Sequence, residues 1–273
     1  MNPPAARRGP VRHGLVIFAT FVRLGMLNLM AYRAEFGLAL LNVAIGLASQ
    51  ALGLSVIFSQ TTELGGWTVD QVLILIGVQF ILAGFLGMVI RPSMSQLMEG
   101  IRLGTFDFTL TKPADSQLLA STQVFSPAAV TELAIGAGVV VVGCVRLGET
   151  ITLASVGLFA LTLLCGLVMF VSVLMLLSTL SFWFVKLSNI LAIFESVFGQ
   201  AGRWPITIFP RWLRFTLTFV IPIGFAVTVP AQALTGKLDG GTVGLAMGIA
   251  AAFFIASRLF WKFALRHYTG ASA

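Results

Sequence analysis

The chain has 273 residues, of which 58% are hydrophobic and only 10% are charged, and its formal net charge is +7. A soluble domain carries about 25% charged residues, so most of this surface is predicted not to face water. The apolar residues come in blocks of about 20, which is the helix length that crosses a hydrocarbon core. The composition predicts an all-α membrane protein rather than a β-barrel, and no nucleic-acid partner is expected because basic residues collect on cytoplasmic loops.

The N-terminal segment, residues 1–37, combines a basic start with an apolar stretch that Arg23 interrupts. This pattern is compatible with a signal peptide, but no small-x-small cleavage site follows it. Arg12 and Arg23 are separated by about three helical turns, which places them on one side of a helix. We therefore predict an interfacial helix whose partner is the lipid bilayer.

Six membrane spans are predicted in a single transmembrane domain that comprises the whole chain, residues 1–273. They cover residues 38–58, 72–90, 124–145, 153–185, 186–203 and 241–261. The fifth is the shortest, and it spans only if its aromatic N-terminal end is included. Residues 204–236 are also apolar, but they contain the four prolines Pro205, Pro210, Pro222 and Pro230. Each proline removes a backbone donor, so two short helices that enter and leave on one side, a re-entrant hairpin, are predicted there.

A polar segment, residues 91–123, separates the second and third spans. Within it, a short helix is predicted from Ser93 to Arg102, with Gly104 ending it and Lys112-Pro113 ending the next turn. The segment must leave the bilayer. It is either an ordinary solvated loop or the surface that meets a soluble partner.

Basic residues favour a topology with both termini in the cytoplasm, because most of the 17 lysines and arginines then lie on that side. Arg203, Arg211 and Arg214 are the exception, since they then lie outside. If residues 187–202 did not cross, these arginines would be cytoplasmic and residues 215–233 would form the fifth span. Charge alone favours this alternative.

Two carboxylates lie well inside predicted spans, Glu132 in the third and Glu195 in the fifth. An intramembrane carboxylate is costly and suggests a functional site, so a role in translocation or gating is one interpretation of each. A neutral or locally paired side chain is the other. Cys144 and Cys165 have no metal-ligand spacing and no catalytic neighbours, so neither a metal site nor an enzyme activity is expected.

Tryptophan and glycine give two weaker predictions. All five tryptophans fall near predicted span ends and indicate an interfacial belt: Trp67, Trp183, Trp204, Trp212 and Trp261. Gly244 and Gly248 have the Gly-x-x-x-Gly spacing that permits close contact between helices.

Two motifs carry a resemblance to a known family. The segment "GTFDFTLTKP", residues 104–113, resembles the Gly-x-Leu/Phe-Asp-x-x-Leu-x-x-Pro element of ABC-2 type exporter permeases, which lies in their cytoplasmic loop after the second span. The segment "WPITIFPRWLRFTLTFVIP", residues 204–222, resembles their Pro-x-x-x-x-Pro-x-Trp-Leu…Pro signature before the last span. Lys112 stands where related sequences often have an arginine. With the spans and the preceding interfacial helix, the likeness covers nearly the whole chain.

The resemblance implies the transmembrane subunit of an ATP-driven exporter. In that family two permease subunits pair, here as a homodimer or a heterodimer, and each docks a separate ATPase through a cytoplasmic coupling helix. The implied docking residues are Glu99, Arg102, Gly104, Phe106, Asp107, Leu110, Lys112 and Pro113. The implied outer hairpin, which places the three arginines of the charge conflict outside, contains Pro205, Pro210, Trp212, Leu213 and Pro222.

ATP and Mg²⁺ are expected on the partner subunit, because the chain has no phosphate-binding loop of the form G-x-x-x-x-G-K-[ST]. Its Gly236-Lys237 pair is followed by leucine. We expect a non-enzymatic permease in the cell (inner or plasma) membrane, moving cargo out of the cytoplasm. An amphipathic or lipid-linked cargo would suit its apolar helices. The alternative is an ion-gradient-driven secondary transporter, a class that usually has more spans and internal inverted repeats.

Overall fold

The structure is a computed structural model that describes residues 33–148, 151–184 and 188–268. Nearly all of the predicted interfacial helix, and Lys186, lie outside these ranges. The described residues are helical or lie in turns and loops, with one isolated backbone bridge between Leu64 and Trp67. The predicted all-α fold is confirmed.

We label the helices of the described ranges in chain order. They are α1 Arg33–Phe58, α2 Val69–Arg102, α3 Asp107–Leu110, α4 Ser116–Thr122, α5 Pro127–Leu147, α6 Leu153–Phe182, α7 Ser188–Ala201, α8 Arg211–Val220, α9 Gly224–Leu234 and α10 Gly240–His267. Helices α1, α2, α5, α6 and α10 are long and apolar enough to cross a bilayer, and the pair α8–α9, bent by 82°, could form a sixth span. Helix α7 has only 14 residues, so it is shorter than the predicted fifth span that contains it.

Helix α2 joins two predicted helices into one. The second span was predicted to end at Ile90 and a short helix to run from Ser93 to Arg102, but helical structure is continuous from Val69 to Arg102. Pro92 has no N–H to donate to Met88 O, and the turn before it, Leu86–Ile90, is π-helical. The backbone N–H of Ser126 donates to Met88 O instead, at 2.7 Å. A neighbouring segment thus satisfies the carbonyl, and the helix continues past the proline.

Helices α2 and α5 pack with their backbones in close approach. A Cβ added to Gly84 would lie 2.6 Å from the backbone nitrogen of Leu133, and one added to Gly136 would lie 2.6 Å from the nitrogen of Ile81. Real Cβ atoms do not approach backbone atoms so closely. These glycines therefore set the distance between the two helices.

The bent pair α8–α9 begins and ends beside one loop. Thr207 Oγ1, just before α8, donates to Gly65 O at 2.8 Å, and Lys237 Nζ, just after α9, donates to Gly66 O. The buried helix α9 packs on α6, where a Cβ on Gly166 would meet the backbone of Ala226. Irregular backbone at membrane depth needs such cover by protein. The pair therefore enters and leaves the helical bundle at the end that carries the α1–α2 loop, which we call the hairpin end. Residues 103–126 lie at the opposite end of α2, the α3 end.

The tryptophan prediction needs correction at two of its five positions. Trp67 and Trp261 are each only 2% exposed, so they belong to the protein core rather than to a lipid-facing belt. Trp212, by contrast, is 70% exposed. A Cβ on Gly244 or Gly248 would have no atom within 4 Å, so this glycine pair makes no close helix contact with the described parts of the chain.

Candidate functional site

Residues 103–113, which we call the α3 turn, are anchored to the ends of α6 and α10. Phe106 is only 3% exposed. Its ring meets those of Phe182, Trp261 and Tyr268 edge-on, with centroid separations of 5.6, 5.9 and 5.9 Å. Edge-to-face packing at these distances is favourable beyond the area it buries. One face of the turn is therefore fixed to the helical bundle.

Glycine at position 104 makes this fold of the turn possible. Gly104 has φ 72°, the left-handed conformation that ends many helices and that only glycine adopts without strain. The reversal lets the N–H of Phe106 donate to Gly100 O at 3.1 Å. The aromatic side chain of Phe106 is thereby directed back toward the bundle.

The opposite face of the α3 turn is exposed and largely apolar. Leu103, Phe108 and Leu110 are 60%, 73% and 39% exposed. Lys112 and Pro113 are exposed beside them. A cluster of large exposed apolar side chains next to a polar loop is typical of a surface that another protein covers.

Asp115 connects this segment to α10. Arg258 donates from Nη1 and Nη2 to the two oxygens of Asp115, at 2.8 and 2.7 Å. The same carboxylate accepts the N–H of Leu118 at 2.9 Å and so caps α4. The hydrogen bonds from Arg258 are the main cause that lowers the pKa of Asp115 to about 2. Beside them, Gln117 Nε2 donates to Ser257 Oγ at 2.8 Å.

The predicted docking residues are divided between these faces. Phe106 is buried, and Asp107 lies beside Tyr268, where burial first and this contact second raise the pKa of the tyrosine to about 12. Glu99 and Arg102 are exposed and pair with each other, with Arg102 Nε 2.8 Å from Glu99 Oε2. Leu110, Lys112 and Pro113 lie on the exposed face, and Gly104 forms the reversal of the turn.

The predicted hairpin residues also differ in burial. Pro205 and Pro222 are buried, whereas Pro210 and Trp212 are exposed. Leu213 is partly buried against the core. The prolines of the hairpin therefore occur in both its buried and its exposed parts.

Two of the arginines in the charge conflict bind backbone carbonyls, and Arg214 does so at the hairpin end. Arg214 Nη2 donates to Thr207 O, and the hydroxyl of Thr207 binds Gly65 O. Arg203 Nε donates to Gly199 O at 2.9 Å. Arg214 therefore lies at the opposite end of the bundle from the α3 turn.

The two intramembrane carboxylates converge on Arg91. Arg91 Nε lies 3.2 Å from Glu195 Oε1. A Cβ built on Gly87 would be 3.7 Å from Arg91 Nη1 and 3.9 Å from Glu132 Oε2, so these two groups flank the same glycine. Glu132 and Glu195 were predicted as site residues, but their contact with Arg91 was not, because Arg91 lies at a predicted span boundary and the three residues belong to distant segments.

A cavity of about 430 Å³ lies beside this cluster, between α1, α2 and α5. Asn42, Gly46 and Gln50 form part of its α1 wall, and Arg91 and Glu132 lie opposite. Sequence reasoning missed this cavity because it depends on how far α1 stands from its neighbours.

A second cavity of about 280 Å³ continues along the same helix. Gln50 lines both cavities. The far end of the second is the ion pair between Asp70 and Arg146, at 2.9 Å. We call the two cavities together the α1 cleft.

The family model described as "ABC-2 family transporter protein" matches residues 44–272. This range includes α2 to α10 and most of α1. No curated protein matches the chain.

Proposed function

The chain belongs to the ABC-2 transporter family, and from this premise we propose that it is the permease subunit of an ATP-binding cassette exporter whose ATPase is a separate polypeptide. Permeases of this family are multi-pass membrane subunits that generally work with an ATPase subunit. The single observation that best supports docking here is the α3 turn, which is anchored on one face and exposed and apolar on the other.

The contacts of the anchored face could transmit a displacement of the turn to the membrane helices. Phe106 contacts the ends of α6 and α10, and Asp115 binds Arg258 of α10. The turn also continues directly from α2. A displacement of the turn by a bound ATPase would therefore act on three long helices at once.

A second permease is part of the proposal, with the termini and the α3 end in the cytoplasm and the hairpin end outside. Helices α1 and α10 bury only a small share of their residues within the chain. Such helices need lipid or another subunit beside them. Outward movement of an amphipathic or lipid-linked cargo is the proposed activity, with ATP and Mg²⁺ on the ATPase.

Co-purification tests the docking surface. We expect a tagged wild-type chain, solubilised from its native membrane, to bring down a nucleotide-binding ATPase that mass spectrometry identifies. Phe108→Glu places a charge on the exposed face without touching the aromatic cluster, and it should reduce the recovered ATPase at least tenfold.

Ile151→Glu is the matched control, because Ile151 is 46% exposed in the α5–α6 loop at the other end of the bundle. This variant should retain the ATPase. If folded wild-type chain recovers no ATPase, the proposal fails and an ion-gradient-driven transporter becomes the better hypothesis. If both variants lose it equally, the α3 turn is not the docking surface.

A further inference from the structure

We propose that the α1 cleft binds a cationic amphiphile, with the ammonium group beside Glu132 and the apolar chain along α1. The inference rests on the proposed function only in regarding this molecule as cargo. Binding itself needs no ATPase and can be measured on the permease alone.

The cleft is long enough for an extended hydrocarbon chain. Its α1 wall begins at Ala39 in the first cavity and reaches Ser55 in the second. At 1.5 Å per residue this stretch of helix measures about 24 Å, most of a hydrocarbon core of ~30 Å. The cleft therefore extends across most of the thickness of the membrane and is not a local surface pocket.

The α1 wall of the cleft is mainly apolar. Val43 and Gly46 line the first cavity, and Leu47, Ala51 and Leu54 line the second. Ligand sites in proteins commonly combine such walls with a few polar groups that fix the orientation of the ligand. Here charged groups lie at both ends: Arg91 and Glu132 at one end, and the Asp70–Arg146 ion pair, whose charges compensate each other, at the other.

Charge balance at the Glu132 end favours a cation. Arg91 carries one positive charge, and the carboxylates of Glu132 and Glu195 together carry two negative charges when ionised. Arg91 Nε pairs with Glu195, so the carboxylate of Glu132 is not fully compensated. An ammonium group would neutralise the cluster, whereas an anionic head group would face two carboxylates. Uncompensated charge within a membrane is costly, so the cluster should bind an ammonium group in preference to an anionic head group.

Hydrogen bonding leads to the same ligand chemistry. Among the described residues, three that line the first cavity each have a buried polar atom without a hydrogen bond: Glu132 Oε2, Gln50 Oε1 and Arg91 Nε. Arg91 Nε has the carboxylate of Glu195 beside it at 3.2 Å, and the other two atoms are acceptors. A primary ammonium group offers three donors. It could therefore satisfy an acceptor that the protein leaves unpaired, which an anionic or purely apolar ligand could not do.

Two glycines of α1 provide a matched pair of variants. A Cβ on Gly46 or on Gly53 would have nothing within 4 Å, so neither substitution creates a clash at that atom. Gly46 lines the first cavity, whereas Gly53 lines neither. Gly46→Leu should fill the cleft, and Gly53→Leu should make the same chemical change on the same helix outside it.

The test measures binding of radiolabelled dodecylammonium to the full chain in phosphatidylcholine nanodiscs. Empty nanodiscs provide the baseline for partition into lipid. We expect saturable binding of one probe per chain, loss of that binding in Gly46→Leu, and an affinity at least tenfold lower in Glu132→Gln. Gly53→Leu should bind as the wild type does. Glu63→Gln, which removes an exposed carboxylate from the α1–α2 loop, should also bind normally.

Dodecanol distinguishes a charge-selective site from a lipid site. It has the same chain and no charge, so we expect it to displace the labelled probe poorly. Equal displacement by dodecanol would overturn the proposal. An unchanged affinity for the labelled probe in Glu132→Gln would also overturn it. Absence of saturable binding, or equal losses in the two glycine variants, would overturn it as well.

This result is separable from the docking experiment. If the probe binds as expected but no ATPase co-purifies, the cleft is a binding site and the exporter proposal fails alone. If the ATPase co-purifies but the probe does not bind, only the cleft proposal fails.

Discussion

Asp115 takes part in two interactions that a single substitution can separate. Its carboxylate caps α4 through the N–H of Leu118 and binds Arg258 of α10 with two hydrogen bonds. Asparagine can replace aspartate as a helix cap but cannot carry the ionic interaction. Asp115→Asn therefore tests the ion pair with little change to the helix terminus.

Asp115→Asn should reduce stability at neutral pH by about 1 kcal/mol or less, because an exposed ion pair is screened by solvent. The pKa of Asp115 is lowered from its ordinary value of 3.8 to about 2 in the folded chain. The ion pair therefore contributes fully above pH about 4, and its contribution disappears as the pH falls through about 2. Thermal unfolding in detergent between pH 7 and pH 3 would show the difference between variant and wild type shrinking.

Asp239→Asn serves as the control, since Asp239 caps α10 by accepting the N–H of Gly241. It should have a smaller effect on the unfolding temperature. Equal losses in the two variants at every pH would contradict a specific contribution of the Asp115–Arg258 pair.

At the scale of elements, two glycines of α5 that face different surroundings should respond oppositely to substitution by alanine. Gly136 faces the backbone of α2, whereas a Cβ on Gly138 would have nothing within 4 Å. Their sequence surroundings are similar, because both lie in an apolar stretch of α5. Only the direction in which each residue points separates them.

Gly136→Ala should destabilise the chain by about 1–3 kcal/mol, the usual cost of overpacking a close contact. Gly138→Ala should be neutral or stabilising by up to about 1 kcal/mol, since alanine is the better helix former. Thermal unfolding of both variants in detergent checks this expectation. An unfolding temperature lowered equally in both would show that the glycines do not set the helix separation.

The sequence predicted elements better than contacts. The long apolar blocks identified the helices, because hydrophobic length is a local property. The continuity of α2 past Pro92 was not predicted, because Met88 O is satisfied by Ser126, a residue outside the local window. Likewise, the burial of Trp67 depends on residues of the hairpin end: Lys237 Nζ lies 5.1 Å from the centre of its ring. The cluster around Arg91 was missed for the same reason.

At the scale of the whole molecule, two ends of the helical bundle are chemically distinct. The α3 end carries the aromatic cluster and the Asp115–Arg258 pair, and the hairpin end carries Arg214 and the carbonyls of Gly65 and Gly66. Charge alone favoured a cytoplasmic side for Arg203, Arg211 and Arg214, whereas the family resemblance implied the outer side. The position of Arg214 relative to the α3 turn could not be derived from composition, because it depends on the contact of Thr207 with a loop far away in the sequence.

Cysteine labelling in intact cells tests the proposed orientation. The native cysteines, Cys144 and Cys165, are buried, so a membrane-impermeant maleimide should react weakly with the wild type. Arg211→Cys should be labelled in intact cells. Lys112→Cys should be labelled only after permeabilisation, because the α3 end is proposed to face the cytoplasm.

Both variants should react equally in detergent, since Arg211 and Lys112 are exposed. Labelling of Lys112→Cys in intact cells, with none at Arg211→Cys, would reverse the orientation. Labelling of both only after permeabilisation would favour the topology in which residues 187–202 do not cross.

The bond between Ser126 and Met88 has a mechanical consequence. Together with the N–H of Val124, which donates to Ser93 Oγ at 3.0 Å, it closes the chain from Met88 to Ser126 into a ring at its base. Separating α2 from α5 at that point requires both hydrogen bonds to break. A force applied at Phe108 is therefore transmitted to α5 as well as to α2 for as long as the two bonds hold.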